Sequence, residues 1–301
     1  MLSNLNPMTQ QFLNNLNTIN TQMQTAQAQV STGVKINQDS DAPDEISTLL
    51  QTRANLSSTQ QTLTNLGRVT TEVNTGEQTL ETAVQLFDQV QTLGTEGNSD
   101  LATAGQKADI SQQLNSILQQ FVGLAGTTVE GRYIFSGDSD QQVPYTYDAT
   151  QTPPVSAYLG TASTRTIQDP DGATFPVALT AQQIFDSSDP STNLYSSIEN
   201  LSTALANNDS TGIQTAVSGL AGVASYLNDQ LATYGTTQDR LTSATNLGNN
   251  MVTQLQTQIS GLQDADMSQA ILEMTQAQTQ QQAALESESK LPQTNLFSYL
   301  G

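Results

Sequence analysis

The chain of 301 residues contains no cysteine, no histidine and no tryptophan, and only 8 lysines and arginines stand against 28 aspartates and glutamates. Without cysteine there are no disulfides and no thiol chemistry. Without histidine, Ser-His-Asp and Cys-His arrangements, imidazole zinc sites and haem ligation by histidine are excluded. A formal charge of -20 repels a nucleic-acid backbone or an anionic membrane surface, so neither nucleic acid nor membrane is an expected partner. No apolar run approaches the roughly 18 residues of a membrane-spanning helix. The start, MLSNLNPMTQQ, has neither the basic n-region nor the apolar h-region of a secretory signal peptide. If the chain is exported, the expected route is one that needs no cleaved leader.

What is present favours helices. The hydrophobic fraction is 36% and the aromatic fraction 5%, with Gln, Thr, Ser and Asn filling the gaps, a mixture suited to long polar-faced helices rather than a thick globular core. Phe12, Leu16, Ile19, Met23, Ala26 and Val30 recur at alternating spacings of four and three, the seam of a coiled coil, and Gly33 ends it. Leu49, Leu56 and Leu63 repeat at seven, and Leu66, Val73, Leu80 and Phe87 continue the frame. The spacing predicts one long helix from Asp44 to Leu93, weakened locally by Gly67 and Gly76. A third seam runs through Ile110, Leu114, Ile117, Phe121 and Leu124.

From there to about residue 190 the composition shifts to Pro, Gly, Asp and Tyr, with short β-type runs in RYIFSG, VPYTYD, TRTIQ and TFPVAL. Asp169, Pro170, Asp171 and Gly172 fit a type I turn. Helical spacing resumes with Leu194, Ile198, Leu201 and Leu205, breaks at NNDSTG, and continues through Ile213, Leu220, Leu227 and Tyr234 to Leu262. A last helix is expected after Asp266 as N-cap, carrying Met267, Ile271, Met274 and Leu285. The fold class is therefore mainly α: a long up-and-back helical bundle or coiled coil from both chain ends, with a small β-rich insert in the middle.

An isolated amphipathic helix does not recover its ordering entropy from one seam, so the terminal helices need partners, first of all each other. Residues 1–34 and 241–263 carry no Asp, Glu, Lys or Arg. Faces of Gln, Asn and Thr can be buried among neighbouring copies without ionic desolvation, and they are read here as assembly surfaces.

Candidate chemistry is sparse. In INQDSDAPDEI, Asn37, Asp39 and Asp41 match the first three ligand positions of an EF-hand loop, but Ala42 stands where Gly is required and Thr48 where a bidentate Glu is required. A turn into a new helix, with Pro43 near its start and Asp44 and Glu45 at its positive end, is the better reading. SESK, Ser287 to Lys290, matches a Ser-x-x-Lys pattern without the companion motifs of such enzymes. Asp264 and Asp266 are two apart and do not share a helix face. A glycosidase built on the insert would need two carboxylates at a defined separation; Asp138, Asp140, Asp148, Asp169 and Asp171 are the available acids. No cofactor fingerprint and no metal site are found, and no enzymatic activity is expected.

Taken together, QVSTGVKINQDSDAPDEIS near the start, LATYGTTQDRLTSATNLGNN with SGLQDADMSQAILEMTQAQTQQQA, and the tail KLPQTNLFSYL resemble the two ends of the flagellin superfamily. Within it, GRYIFSGDSDQQVPY and TAQQIFDSS look like segments of the hook-filament junction family, the flagellin-like hook-associated proteins. The resemblance implies a corner motif of Ser31, Thr32, Gly33, Asp39, Asp41 and Pro43, and a junction-family motif of Gly131, Arg132, Tyr133, Ile134, Phe135, Ser136 and Gly137. It also implies an assembly interface on Phe12, Leu16, Ile19, Met23 and Val30, on Met267, Ile271, Met274 and Leu285, and on the tail residues Leu296, Phe297, Tyr299 and Leu300.

On this resemblance the chain divides into an N-terminal assembly helix and corner (1–43), long rod helices (44–132), a β-rich outer insert (133–190), returning rod helices (191–262) and a C-terminal assembly helix and tail (263–301). It implies a secreted structural subunit of the bacterial flagellum, exported by the flagellar type III pathway and located outside the cell. The subunit would join the hook, through the first hook-associated protein, to the flagellin filament. The implied partners are further copies of itself in a ring or helical assembly, the first hook-associated protein, flagellin, an export chaperone and the secretion apparatus. Filament flagellin is the alternative within the superfamily. A secreted coiled-coil effector or tip protein is the alternative outside it, and would need neither charge-free ends nor the corner. From the EF-hand mismatch at Ala42 and Thr48, calcium is expected to bind no tighter than millimolar; calorimetric titration showing a stoichiometric micromolar site that Asp39→Ala removes would overturn the corner reading.

Overall fold

The computed structural model describes residues 7–37 and 42–289. The elements are α1 (Pro7–Thr32), α2 (Pro43–Gly97), α3 (Ala104–Ala125), β1 (Thr128–Val129), β2 (Arg132–Tyr133), β3 (Thr166–Gln168), β4 (Thr174–Pro176), α4 (Ala181–Phe185), α5 (Leu194–Ala206), α6 (Ser210–Gln263) and α7 (Met267–Ser289); the six longer helices follow the order expected from the spacing, while β1 and the short α4 lie outside the expected runs. The protein is mainly helical, and the insert contains two small antiparallel sheets, β1 with β2 and β3 with β4. VPYTYD forms no strand; its Tyr147 makes only an isolated bridge to Val155. The chain divides into a first unit, Met1–Ser58 with Met251–Gly301, and a second unit, Thr59–Asn250.

In the second unit, the seam spacings become a buried stripe. Leu66, Val73, Leu80 and Phe87 of α2 are buried, as are Ile110, Leu114, Ile117 and Phe121 of α3, and Leu194, Ile198, Leu201 and Leu205 of α5. The helices α3 and α5 pack against each other, and a small polar cluster bridges them. Ser111 Oγ and Ser202 Oγ lie 2.8 Å apart, and Ser202 Oγ also donates to Asn115 Oδ1 at 2.9 Å. Thr103 opens α3 with a capping box closed by Gln106, so two otherwise orphan N–H groups are satisfied at its start.

The long helices α2 and α6 run antiparallel in this unit. Leu63 lies against Gly248, Gly76 beneath Tyr234, and Gly94 against Leu220. Gln238 Nε2 donates across the pair to Asn74 Oδ1 at 2.7 Å and to Glu77 Oε2 at 2.6 Å. Gly76 is therefore a packing position: a Cβ there would sit 2.5 Å from Tyr234 Cε1, whereas a Cβ at Gly67 would meet nothing within 4 Å. Gly76→Ala is expected to destabilise by about 1–2 kcal/mol despite its gain in helix propensity. Gly67→Ala is expected to stabilise by up to about 1 kcal/mol. Urea unfolding of both variants checks the contrast, and equal shifts would contradict it.

Candidate assembly surfaces and the insert motif

In the first unit, α1 and α7 pack side by side. The face of α1 turned from solvent carries Phe12, Leu16, Ile19, Met23, Ala26 and Val30, all buried or half-buried. On α7 the inward stripe is Ala270, Met274, Ala277, Gln281 and Ala284, again spaced four and three. Gln281 Nε2 donates to Asn20 Oδ1 of α1 at 2.8 Å. Small side chains let the two backbones come close. Of the large residues singled out on α7, only Met274 faces inward. Met267, Ile271 and Leu285 are 41%, 48% and 52% exposed, and Leu272 of the same helix is 66% exposed. Periodicity of large residues alone missed the alanine stripe, which the spacing of Ala270, Ala277 and Ala284 would have shown.

The two corners of this unit are tied together. Gly33 ends α1 at φ +72°, a left-handed conformation that suits glycine. Thr32 Oγ1 accepts from the Val34 N–H at 3.2 Å. Val34 then forms a bridge with Asp264, the Lys35 N–H donates to Gln263 O at 2.6 Å, and the Ala265 N–H donates to Gly33 O at 2.9 Å. Lys35 Nζ and Glu45 Oε2 are 2.7 Å apart, and Arg53 Nη2 donates to Gln263 Oε1 at 2.6 Å. Pro43 is the first residue of α2 and Asp44 and Glu45 fill its first turn, where negative charge meets the positive end of the helix. Asp266 caps α7, accepting from the N–H groups of Ser268 at 2.9 Å and Gln269 at 3.2 Å. Ser31 ends α1 exposed. Asp39 and Asp41 of the corner, and Leu296, Phe297, Tyr299 and Leu300 of the tail, lie outside the described residues.

In the second unit, the motif from Gly131 to Gly137 is a packing knot. Glu130 and Gly131 both take positive φ, 51° and 76°, between Val129 and Arg132, the combination that closes a two-residue hairpin. Tyr133 pairs with Thr128 across that hairpin. Ile134, Phe135 and Ser136 are buried. The Phe135 ring stands edge-on to Phe185 and to Tyr234, its carbonyl accepts from Tyr158 Oη at 3.0 Å and from the Ala181 N–H at 2.8 Å, and Ser136 Oγ donates to Gln142 O at 2.6 Å. Gly137 has φ +65°, and a Cβ there would collide with Thr161 O.

Sequence reasoning missed the ion cluster beneath this motif. Glu72 of α2, with its side chain only 7% exposed, sits 2.8 Å from Arg165 Nη1 and 3.5 Å from Arg132 Nη2. Arg132 also reaches Asp140 at 3.7 Å and Glu130 at 3.8 Å. It missed as well the aromatic cluster of Tyr145, Tyr158, Tyr195 and Phe185. Burial first, and then the Asp186 carboxylate, push the Tyr145 phenol well above its usual range, and burial does the same to Tyr195. Tyr145 Oη donates to Asp186 Oδ2 at 3.0 Å, while Asn193 Nδ2 donates to Asp186 Oδ1 at 2.9 Å.

Two of the insert's acids, Asp148 and Asp169, hold turns. Asp148 Oδ1 accepts from the Thr150 N–H and hydroxyl, and these bonds lower its pKa. Asp169 Oδ1 accepts from the Asp171 and Ala173 N–H groups, inside the turn closed by the Gly172 N–H to Asp169 O bond of 3.0 Å. Among the described residues no group of three or more acidic side chains is placed to hold a metal ion, and no helix is long and apolar enough to cross a membrane.

Seam-paired terminal helices, a tied double corner and a helical second unit with a small β insert define a flagellin-like helical protein. Comparison with known proteins agrees. The family models of the bacterial flagellin N-terminal helical region and C-terminal helical region match residues 4–140 and 222–300, and the chain belongs to the bacterial flagellin family. Similar solved structures include a flagellar hook-associated protein of Vibrio parahaemolyticus (15% identity, 74% of this chain and 100% of that one, TM-score 0.65). Others are FlgL of Bacillus cereus (20%, 71% and 100%, TM-score 0.55) and the flagellar junction protein FlgL of Legionella pneumophila (10%, 72% and 98%, TM-score 0.56). At these identities the likeness is one of fold. No match was found among curated proteins.

Glu72→Gln leaves two guanidinium groups without their shared carboxylate. Because both are partly solvated, the cost is expected at the low end for a broken buried pair, about 3 kcal/mol. Urea unfolding would check this, and a change under about 0.5 kcal/mol would show that the cluster does not hold the motif.

Proposed function

We propose that this protein is a non-enzymatic structural subunit of the bacterial flagellum that joins the hook, through the first hook-associated protein, to the flagellin filament. The observation that carries the reading is the two-sidedness of α7. Its alanine stripe is used by α1, while Met267, Ile271, Leu272 and Leu285 face away and stay exposed. Residues 1–34 bear no charge at all. Such surfaces bury cheaply against further copies of the chain, and each large side chain so buried contributes about 1.5–3 kcal/mol. The likeness in fold to hook-associated and junction proteins supports the hook-filament position. Such a subunit is exported through the flagellar type III apparatus with its chaperone and works outside the cell. Filament flagellin, the other member of the family with this architecture, is the second reading.

Two measurements test the proposal. Ile271→Asp with Leu285→Asp is expected to abolish incorporation while changing the stability of the free subunit by less than about 0.5 kcal/mol. A producing bacterium that lacks the protein is expected to finish its hooks, carry no filaments and release flagellin into the medium. Normal filaments in such cells would overturn the junction role, and cells that make no flagellin at all would favour the filament-subunit reading.

A further inference from the structure

The readily oxidised side chains of this protein are confined to one of its two units. The chain has no cysteine, no tryptophan and no histidine, so its methionine thioethers are the principal targets for two-electron oxidants. All six, Met1, Met8, Met23, Met251, Met267 and Met274, fall within the first unit, Met1–Ser58 with Met251–Gly301. The second unit has none, and its core is filled by Phe, Tyr, Leu, Ile, Val and Ala side chains.

Two of these methionines sit in the seam between α1 and α7. Met23 is half-buried on the inward face of α1, and Met274 is the large apolar residue of the inward stripe of α7. Gln281 Nε2 donates to Asn20 Oδ1, and the Ala265 N–H donates to Gly33 O, so the two helices run antiparallel. That register sets Met23 at the level of Ala277 and Met274 at the level of Ala26, and both alanines are buried. Each thioether thus lies across from a small residue, which leaves room for a long flexible side chain. Met8 and Met267 are exposed, and oxidation there leaves the seam untouched.

We propose that Met23 and Met274 are oxidative modification sites for hydroperoxides, and that their conversion to sulfoxides parts α1 from α7 while the second unit stays folded. In the reaction the peroxide transfers one oxygen to the thioether sulfur. An S–O bond forms as the O–O bond breaks, the sulfur loses two electrons, and the peroxide leaves as water or an alcohol. The new oxygen accepts hydrogen bonds and the alanine across from it offers no donor; Gln281 Nε2, one turn from Ala277, is already engaged by Asn20. A dipolar group is then either buried unpaired or hydrated by separating the helices. The pair has little to set against that cost, because the rest of the α7 stripe is Ala270, Ala277, Gln281 and Ala284. The inference concerns the free subunit and stands whether or not the assembly reading above holds.

The full-length subunit should be treated with hydrogen peroxide, its sulfoxides mapped by peptide mass spectrometry, and its amide hydrogen exchange read helix by helix. Once Met23 and Met274 are oxidised, protection of α1 and α7 is expected to fall by about tenfold. Protection of α3 and α5 is expected to stay unchanged, and methionine sulfoxide reductase should restore the loss. Met23→Leu/Met274→Leu keeps side-chain volume and is expected to hold its protection through the same treatment, although Met8 and Met267 still oxidise. Met23→Gln/Met274→Gln is expected to lose protection with no oxidant present. Unchanged exchange in the wild type after both seam sulfoxides have formed, equal loss in the Leu variant, or equal loss in α3 and α5 would each overturn the proposal. So would seam methionines that stay unoxidised when Met8 and Met267 are fully converted, or α1 and α7 amides that are unprotected before peroxide is added.

Discussion

The second unit depends on the contact of Gly76 with Tyr234. A glycine on α2 lets a large ring from α6 lie against the helix backbone, and that sets the antiparallel register from Leu63 opposite Gly248 to Gly94 opposite Leu220. The same ring stands edge-on to Phe135 of the insert motif, and its hydroxyl accepts from the Leu179 N–H at 3.3 Å. Burial raises the Tyr234 phenol well above its usual range, so it stays neutral inside the core. One side chain therefore connects the two long helices, the Arg132–Gly137 segment and the chain leaving β4. A polar chain with few aromatic residues concentrates its cohesion at such points.

The seams of α1, α2, α3 and α5 were legible because large apolar residues at three and four spacing mark the buried face whenever the partner helix offers ordinary side chains. On α7 that rule selects Met267, Ile271 and Leu285, whereas the chain's own partner takes the alanines. The helix has two stripes, and a reading based on size finds the one that α1 does not use. The ion cluster was unreadable for a different reason. Glu72, Arg132 and Arg165 are far apart in sequence, and only the folding of the insert over α2 brings them within reach.

The GRYIFSG segment is tied into the packing of the second unit. Gly131 and Gly137 occupy left-handed conformations, Ile134 and Phe135 fill the core, and Arg132 reaches Glu72. Nearby, Asp148 and Asp169 hold turns and Asp140 lies beside Arg132.

Assembly in such a protein is a contest between like charge and shared surface. Most of the 28 acids lie between residues 72 and 239, in the part of the chain that carries most of the buried apolar cluster. The terminal helices are nearly the reverse: α1 is uncharged, and its partner α7 is held by alanines and one amide bridge to Asn20. Desolvating amides and threonines costs far less than desolvating carboxylates, so the outward face of α1 is cheaper to bury than the acid-bearing surface of the second unit. The residues that leave α1 without charge also leave its outward Gln, Asn and Thr side chains with little electrostatic resistance to being covered.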